Sequence, residues 1–279
     1  MLRNTFVHLP GVGSVRERTL WTQGILDWDC FLAASGDGRL PKKLRESAAP
    51  LVRQSVEAAA GGDVRFFGGL LPSRETWRLY PEFAGQVLFL DIETTGLSPH
   101  YDRVTTIGAL GGGKLALFID GINLEQFPAY VAQFPLLVTF NGSQFDVPFL
   151  RTHFPKARLD QAHIDLRFTL SSLGYRGGLK AIERSLGLRR DRTIQDVDGF
   201  EAVRLWHCWR RGDRASLRKL ALYNLTDVVN MVELVEIAVR HKTRLAAHPS
   251  QQAHSDPPAA WRFDPKSIAT WLDEHLEAG

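Results

Sequence analysis

The apolar positions change period several times along the chain, and those changes mark the elements. QVLFLDIE (86–93) carries an apolar run that ends in alternating acids and reads as a strand; VTTIGALG (104–111) and KLALFID (114–120) read as a second and a third. The glycines at 111–113 are few enough to join the last two as a hairpin. EQFPAYVAQF then reads as a helix, LLVTFN as a fourth strand, FDVPFLRTHF as a helix with Pro148 near its start, and AHIDLR as a fifth strand. Three strands linked tightly, followed by two reached through helices, imply a mixed five-stranded sheet in an α/β fold.

Helical spacing governs the next stretch, at GGLKAIERSLG, GFEAVRLWHCWRRGD and residues 215–242. In the last, Leu217, Leu220, Tyr223, Asp227, Met231 and Leu234 recur at three- and four-residue intervals and share one side, so a tyrosine and an acid lie on an apolar face. Residues 1–80 form an irregular extension with a Trp-containing segment and a basic helix-like segment, PKKLRESAAPLVRQSVEAA; its apolar content predicts packing on the core rather than a disordered tail. The expected organisation is this N-terminal extension at 1–80, the α/β domain at 81–243, and a Pro-rich polar linker with a terminal helix at 244–279.

Composition narrows the function classes only a little. The 279 residues are 44% hydrophobic, enough for a sizeable core, and the formal charge of +3 permits a polyanionic partner without requiring one. Two distant cysteines, Cys30 and Cys208, make neither a disulfide framework nor a thiolate metal site. The start, MLRNTFVHLPGVG, has no secretory pattern, and no apolar run is long enough for a membrane span, so a soluble cytoplasmic protein is expected, with no membrane partner. No GxGxxG follows the first strand, which argues against a dinucleotide oxidoreductase.

Three short motifs carry the candidate chemistry. In FLDIETTGLSP, Asp91 and Glu93 are two apart on a strand and point to one face, where two anions repel unless a cation neutralises them. In LLVTFNGSQFDVPFL, Asn141 and Gly142 stop the strand and Asp146 falls in the first turn of the following helix; an acid there suits the helix dipole or a metal equally. In LYNLTDVVNMVEL, Tyr223 and Asp227 lie one helical turn apart. Hard oxygen ligands without thiolates favour Mg²⁺ or Mn²⁺.

These motifs, with HIDLRFTL and GGLKAIERSLGL between them, resemble the DEDD exonuclease superfamily of the RNase H-like fold, and residues 84–240 look most like its YprB-type branch. The resemblance implies two divalent ions held by Asp91, Glu93, Asp146 and Asp227. It further implies Asp91 as the ligand shared by both ions, with Glu93 and Asp227 on the side of the attacking water and Asp146 on that of the leaving group. Leu222 stands where one subtype has histidine, and Tyr223 stands where the tyrosine (DEDDy-like) subtype has the residue that orients water. The expected reaction is metal-dependent hydrolysis of phosphodiester bonds, as a 3′-to-5′ exonuclease acting on single-stranded DNA or RNA ends. An RNase H-like endonuclease and a non-catalytic nucleic-acid binding module stay open as alternatives.

Around these positions, Asn141 and Gln144 are candidates for the terminal nucleotide, and Thr94 and Thr95 for its sugar; each is also an ordinary turn former. Phe145 and Phe149 are at helical spacing, which favours core packing over wedging against a base. His163 and Asp165 share a strand face near the acids, and Lys180 starts a helix within reach of phosphate or solvent. The basic run Arg184–Arg192, with Arg204, Arg210, Arg211, Arg214, Arg218 and Lys219, either guides a strand or forms separate solvated helix faces.

Overall fold

The computed structural model describes residues 1–246 and 265–276. Its centre is the mixed five-stranded sheet, built from β1 (Val87–Thr94), β2 (Val104–Gly111), β3 (Lys114–Ile119), β4 (Leu136–Thr139) and β5 (Ala162–Asp165) in the order β3-β2-β1-β4-β5. The β1–β2 and β2–β3 pairs are antiparallel, as a loop and a tight hairpin dictate, whereas β1–β4 and β4–β5 are parallel because each connection crosses over through a helix. β1 is therefore the central strand, with Asp91 opposite Gly108 and Glu93 opposite Thr106 before the register slips at Thr94.

The period of two divides the apolar side chains between two cores. Val87 and Phe89 face one, Leu88, Leu90 and Ile92 the other, so Asp91 and Glu93 continue the face of Val87 and Phe89. Four helices, α1 (Ser14–Thr22), α2 (Trp28–Gly36), α3 (Lys42–Ala60) and α4 (Val64–Leu70), precede the sheet, and a one-turn α5 (Tyr80–Phe83) leads into it. Next come α6 (Phe127–Val131), α7 (Asp146–His153), α8 (Leu166–Ser171), α9 (Leu179–Ser185), α10 (Gly199–Trp209), α11 (Arg214–Leu245) and α12 (Pro265–Leu276). The long α11 starts from a side-chain cap, Asp213 accepting from the amides of Ala215 and Ser216, and lays its apolar side across β1 and β2. At the crossing, Gly108 makes room: a Cβ there would sit 2.9 Å from Asn224 Oδ1.

The N-terminal 80 residues are more regular than their pattern implies. In α1, Val15 is exposed and Glu17 buried, so the polarity of a surface helix is partly inverted and its signal vanishes. Glu17 is buried because the Arg78 guanidinium meets it with a fork of bonds at 2.8 and 3.0 Å, while the amides of Phe6 and Val7 donate to Glu17 Oε1. The extension touches the sheet directly. Thr76 Oγ1 donates to the His163 carbonyl, and Gly68 lies against Ala162, where a Cβ on the glycine would come within 2.6 Å of the alanine Cβ. At the other end, Ile268 and Leu272 of α12 join the core beside α11, and of the linker and terminal helix expected at 244–279, residues 247–264 and 277–279 fall outside the described residues. Among the described residues no helix is long and apolar enough to cross a membrane.

Candidate functional site

Three elements bring acids to one place. β1 supplies Asp91 and Glu93 on the face that α11 covers; α11 supplies Asp227; carboxylate oxygens of these three residues lie within 4.8 Å of one another. Asp146 enters at the first position of α7 and is buried there, with Oδ1 accepting from the amide of Ile92 at 3.2 Å, between the two acids of β1. It stands outside the three-acid group yet close enough for its charge to act on both Asp91 and Glu93.

Burial followed by the charges of Asp227 and Asp146 raises the proton affinity of Asp91 and of Glu93 well above that of an ordinary carboxylate. Burial likewise brings Asp146 to about 7 and Asp227 to about 6, the latter restrained by Arg190. Such a cluster is unfavourable in the absence of a cation, and its donors are all carboxylate oxygens. That donor set fits a hard divalent ion. Tyr223, one turn before Asp227, is raised by burial and by the charges of Asp227, Glu93 and Asp91, so its phenol is protonated at neutral pH.

The other sequence candidates are distributed around this cluster in distinct ways. Thr94 Oγ1 donates to the Gly96 carbonyl, and Thr95 Oγ1 donates to Asp102 while accepting from the Arg103 amide; both side chains close the turn after β1. Asn141 has a φ of +66°, a left-handed conformation unusual outside glycine, and Asp165 secures it there. Asp165 accepts from the amides of Asn141, Ser143 and Arg167 and from Ser143 Oγ, so its oxygens tie the β4–α7 loop rather than join the acids. Gln144 is exposed beside that loop. Phe145 packs on Phe149 with ring centres 4.8 Å apart, and Phe149 is buried in the core beneath α7. His163 Nε2 pairs with Thr139 Oγ1. Lys180 lies with Nζ 4.9 Å from the centre of the Tyr223 ring.

Two contacts at the site were not anticipated from sequence. Asn224 Nδ2 donates to Asp91 Oδ2 at 2.7 Å and to the Asp91 carbonyl at 3.1 Å, while its Oδ1 accepts from Thr106 Oγ1. Its signal was a fully buried amide on the apolar side of α11. Arg190, read as one charge in a basic run, turns inward and ion-pairs with Asp227. Other members of that run pair at the surface: Arg204 and Lys219 with Glu201, and Arg218 with Asp273.

The match to a family model agrees with this architecture. A family model described as the RNase_H superfamily matches residues 88–239, the span from β1 into α11 that holds the acids. An uncharacterized protein of Methanocaldococcus jannaschii is 30% identical over 165 residues, which cover 54% of this chain and 93% of that protein. Among solved structures, the family B DNA polymerase of Pyrobaculum calidifontis aligns with 57% of this chain at 19% identity and a TM-score of 0.44; the aligned part is 24% of the polymerase. The matched span, more than half of the chain, together with the mixed sheet it encodes, makes this protein a member of the RNase_H superfamily.

Proposed function

We propose that the protein is a divalent-metal-dependent nuclease of the tyrosine-type DEDD class, working as a 3′-to-5′ exonuclease on single-stranded DNA or RNA ends. The observation that carries this reading is the convergence of Asp91, Glu93 and Asp227 within 4.8 Å, with Asp146 bonded to the strand between the first two. Asp91, Glu93, Asp146 and Asp227 are the residues that would hold Mg²⁺ or Mn²⁺. A divalent ion held there would supply charge to activate an attacking water and to offset the negative charge of the leaving oxygen.

The chain's own groups do the rest. Asn224 keeps Asp91 in one rotamer by bonding both its carboxylate and its carbonyl. Asp146 is fixed to β1, and the loop that carries it is fixed by Asp165, so the acids are arranged before substrate arrives. Tyr223, neutral at working pH, orients the water through its hydroxyl and is not the base that takes its proton. Lys180, half-exposed above that ring, would be the cation that meets a substrate phosphate.

The test is digestion of 5′-labelled linear and internally labelled circular single-stranded DNA and RNA with Mg²⁺ or Mn²⁺, using Asp91→Asn as control. A ladder shortening from the 3′ end, absent on circles and in the variant, is the expected result. Cleavage of circles makes the protein an endonuclease, and tight binding without metal-dependent cleavage makes it a binding module. Tyr223→Phe is expected to lower turnover by about a hundredfold with little change in metal affinity.

A further inference from the structure

Arg190 follows α9 and its side chain is only 6% exposed. Its guanidinium is locked from one side: Nε and Nη2 bond the two oxygens of Glu183 at 2.5 and 2.7 Å. Glu183 is held in turn by Asn230, whose Nδ2 donates to Glu183 Oε1 at 2.9 Å. The remaining arm, Nη1, pairs with Asp227 Oδ1, and the guanidinium carbon lies 5.6 Å from the centre of the Tyr223 ring. Asn230, Asp227 and Tyr223 all belong to α11, so the helix supplies both the anchor at one end of this chain of contacts and its targets at the other.

A cation placed merely to offset charge needs no such fixing. A planar fork clamped by a buried carboxylate has a fixed third arm, and that arm determines where one oxygen of Asp227 sits. Repulsion from Asp91 and Glu93 otherwise favours turning Asp227 away. Oδ1 of Asp227 is thereby held on the side of the arginine. The same guanidinium, against the Tyr223 ring, limits the tilt of the phenol.

We propose that Arg190 is a positioning residue that sets Asp227 and Tyr223 for the reaction, with its own place set by Glu183 and Asn230; the inference rests on the metal-dependent reading above. Arg190→Lys separates orientation from charge, because it keeps the cation and removes the fork. Mn²⁺ titrated calorimetrically into nucleic-acid-free protein gives a readout independent of turnover, and thermal melts report folding. Folded Arg190→Lys is expected to bind Mn²⁺ about tenfold more weakly and to lose a similar factor in kcat, with the oligonucleotide KM within about twofold.

Glu183→Gln, which leaves the arginine and loosens its clamp, is expected to shift both quantities the same way by less. Unchanged or tighter Mn²⁺ binding in folded Arg190→Lys overturns the inference; if that variant does not fold, unchanged binding in Glu183→Gln overturns it. Wild-type Mn²⁺ binding that Asp91→Asn abolishes, alongside an unaffected Arg190→Lys, sinks the positioning role alone. A wild type without Asp91-dependent Mn²⁺ binding removes the metal reading and this inference together.

Discussion

Two regions of the molecule bury an arginine among acids, and they differ in how the charge closes. In the N-terminal extension, Arg78 and Glu17 are 2% and 1% exposed; Arg78 also pairs with Glu75, and Glu17 takes two backbone amides besides. Every arm has a partner, which is how a buried pair serves a fold. At the sheet, Arg190 shares its charge between Glu183 and Asp227, while Asp91 accepts from Asn224, Asp146 accepts from the amides of Ile92 and of Asp146 itself, and Lys180 and Arg190 act on Glu93 from a distance. Balanced burial marks a structural bridge; a buried excess of one sign marks a place for something from outside.

The largest effect that separates the regions is on chemistry. Asp91→Asn or Asp227→Asn is expected to lower metal-dependent cleavage by roughly a thousandfold, the equivalent of about 4 kcal/mol of lost charge stabilisation, while leaving the circular dichroism spectrum unchanged. Appreciable turnover in either variant breaks the contrast on the side of the site. Arg78→Met is its mirror image: it strands Glu17 in the core and is expected to cost about 3–5 kcal/mol of stability in chemical denaturation. Protein that remains folded should retain its Mn²⁺ affinity, and a loss of that affinity at constant stability means the extension does more than support the sheet.

Smaller effects sharpen the comparison. Gly108→Ala pushes a methyl against Asn224, the residue that holds Asp91; the expected cost is about 1–3 kcal/mol of stability, with a fall in turnover if Asn224 is displaced. Wild-type stability and turnover in this variant mean that α11 can shift without disturbing Asp91.

The pH dependence should be the gentlest signal. Asp146 at about 7 and Asp227 at about 6 are raised over their unfolded values near about 4. A raised carboxyl contributes stability below its unfolded pKa and loses it as pH climbs through the folded one. With chelator present, the melting temperature should therefore decline between about pH 4 and pH 7 and level off above that range. Added Mn²⁺ should reverse the slope, because it binds the ionised acids, and Asp146→Asn should flatten the chelator curve. A flat wild-type curve with chelator contradicts the excess of buried charge.

Much of this is legible in the amino-acid sequence. The run ending in Asp91 and Glu93, the hairpin glycines and the two crossover helices predict the mixed sheet, and the strand period assigns both acids to one face. The spacing along α11 gathers Tyr223 and Asp227 on the side that the structure buries. The helices of the extension were less visible because α1 buries a glutamate and exposes a valine, a pattern that makes sense only with Arg78 in place, 61 residues away from Glu17.

Relations within single elements are readable from residue spacing, because a strand period or a helical turn fixes facing at short range. Tertiary structure alone decided the relations between elements: Asn224 on Asp91, 133 residues apart, Asp165 on the β4–α7 loop, and Arg190 turned from a run of surface charges onto Asp227. The physical reason is that charge and hydrogen-bond partners are chosen by distance in space, and packing α11 across β1 sets distances that no local spacing encodes.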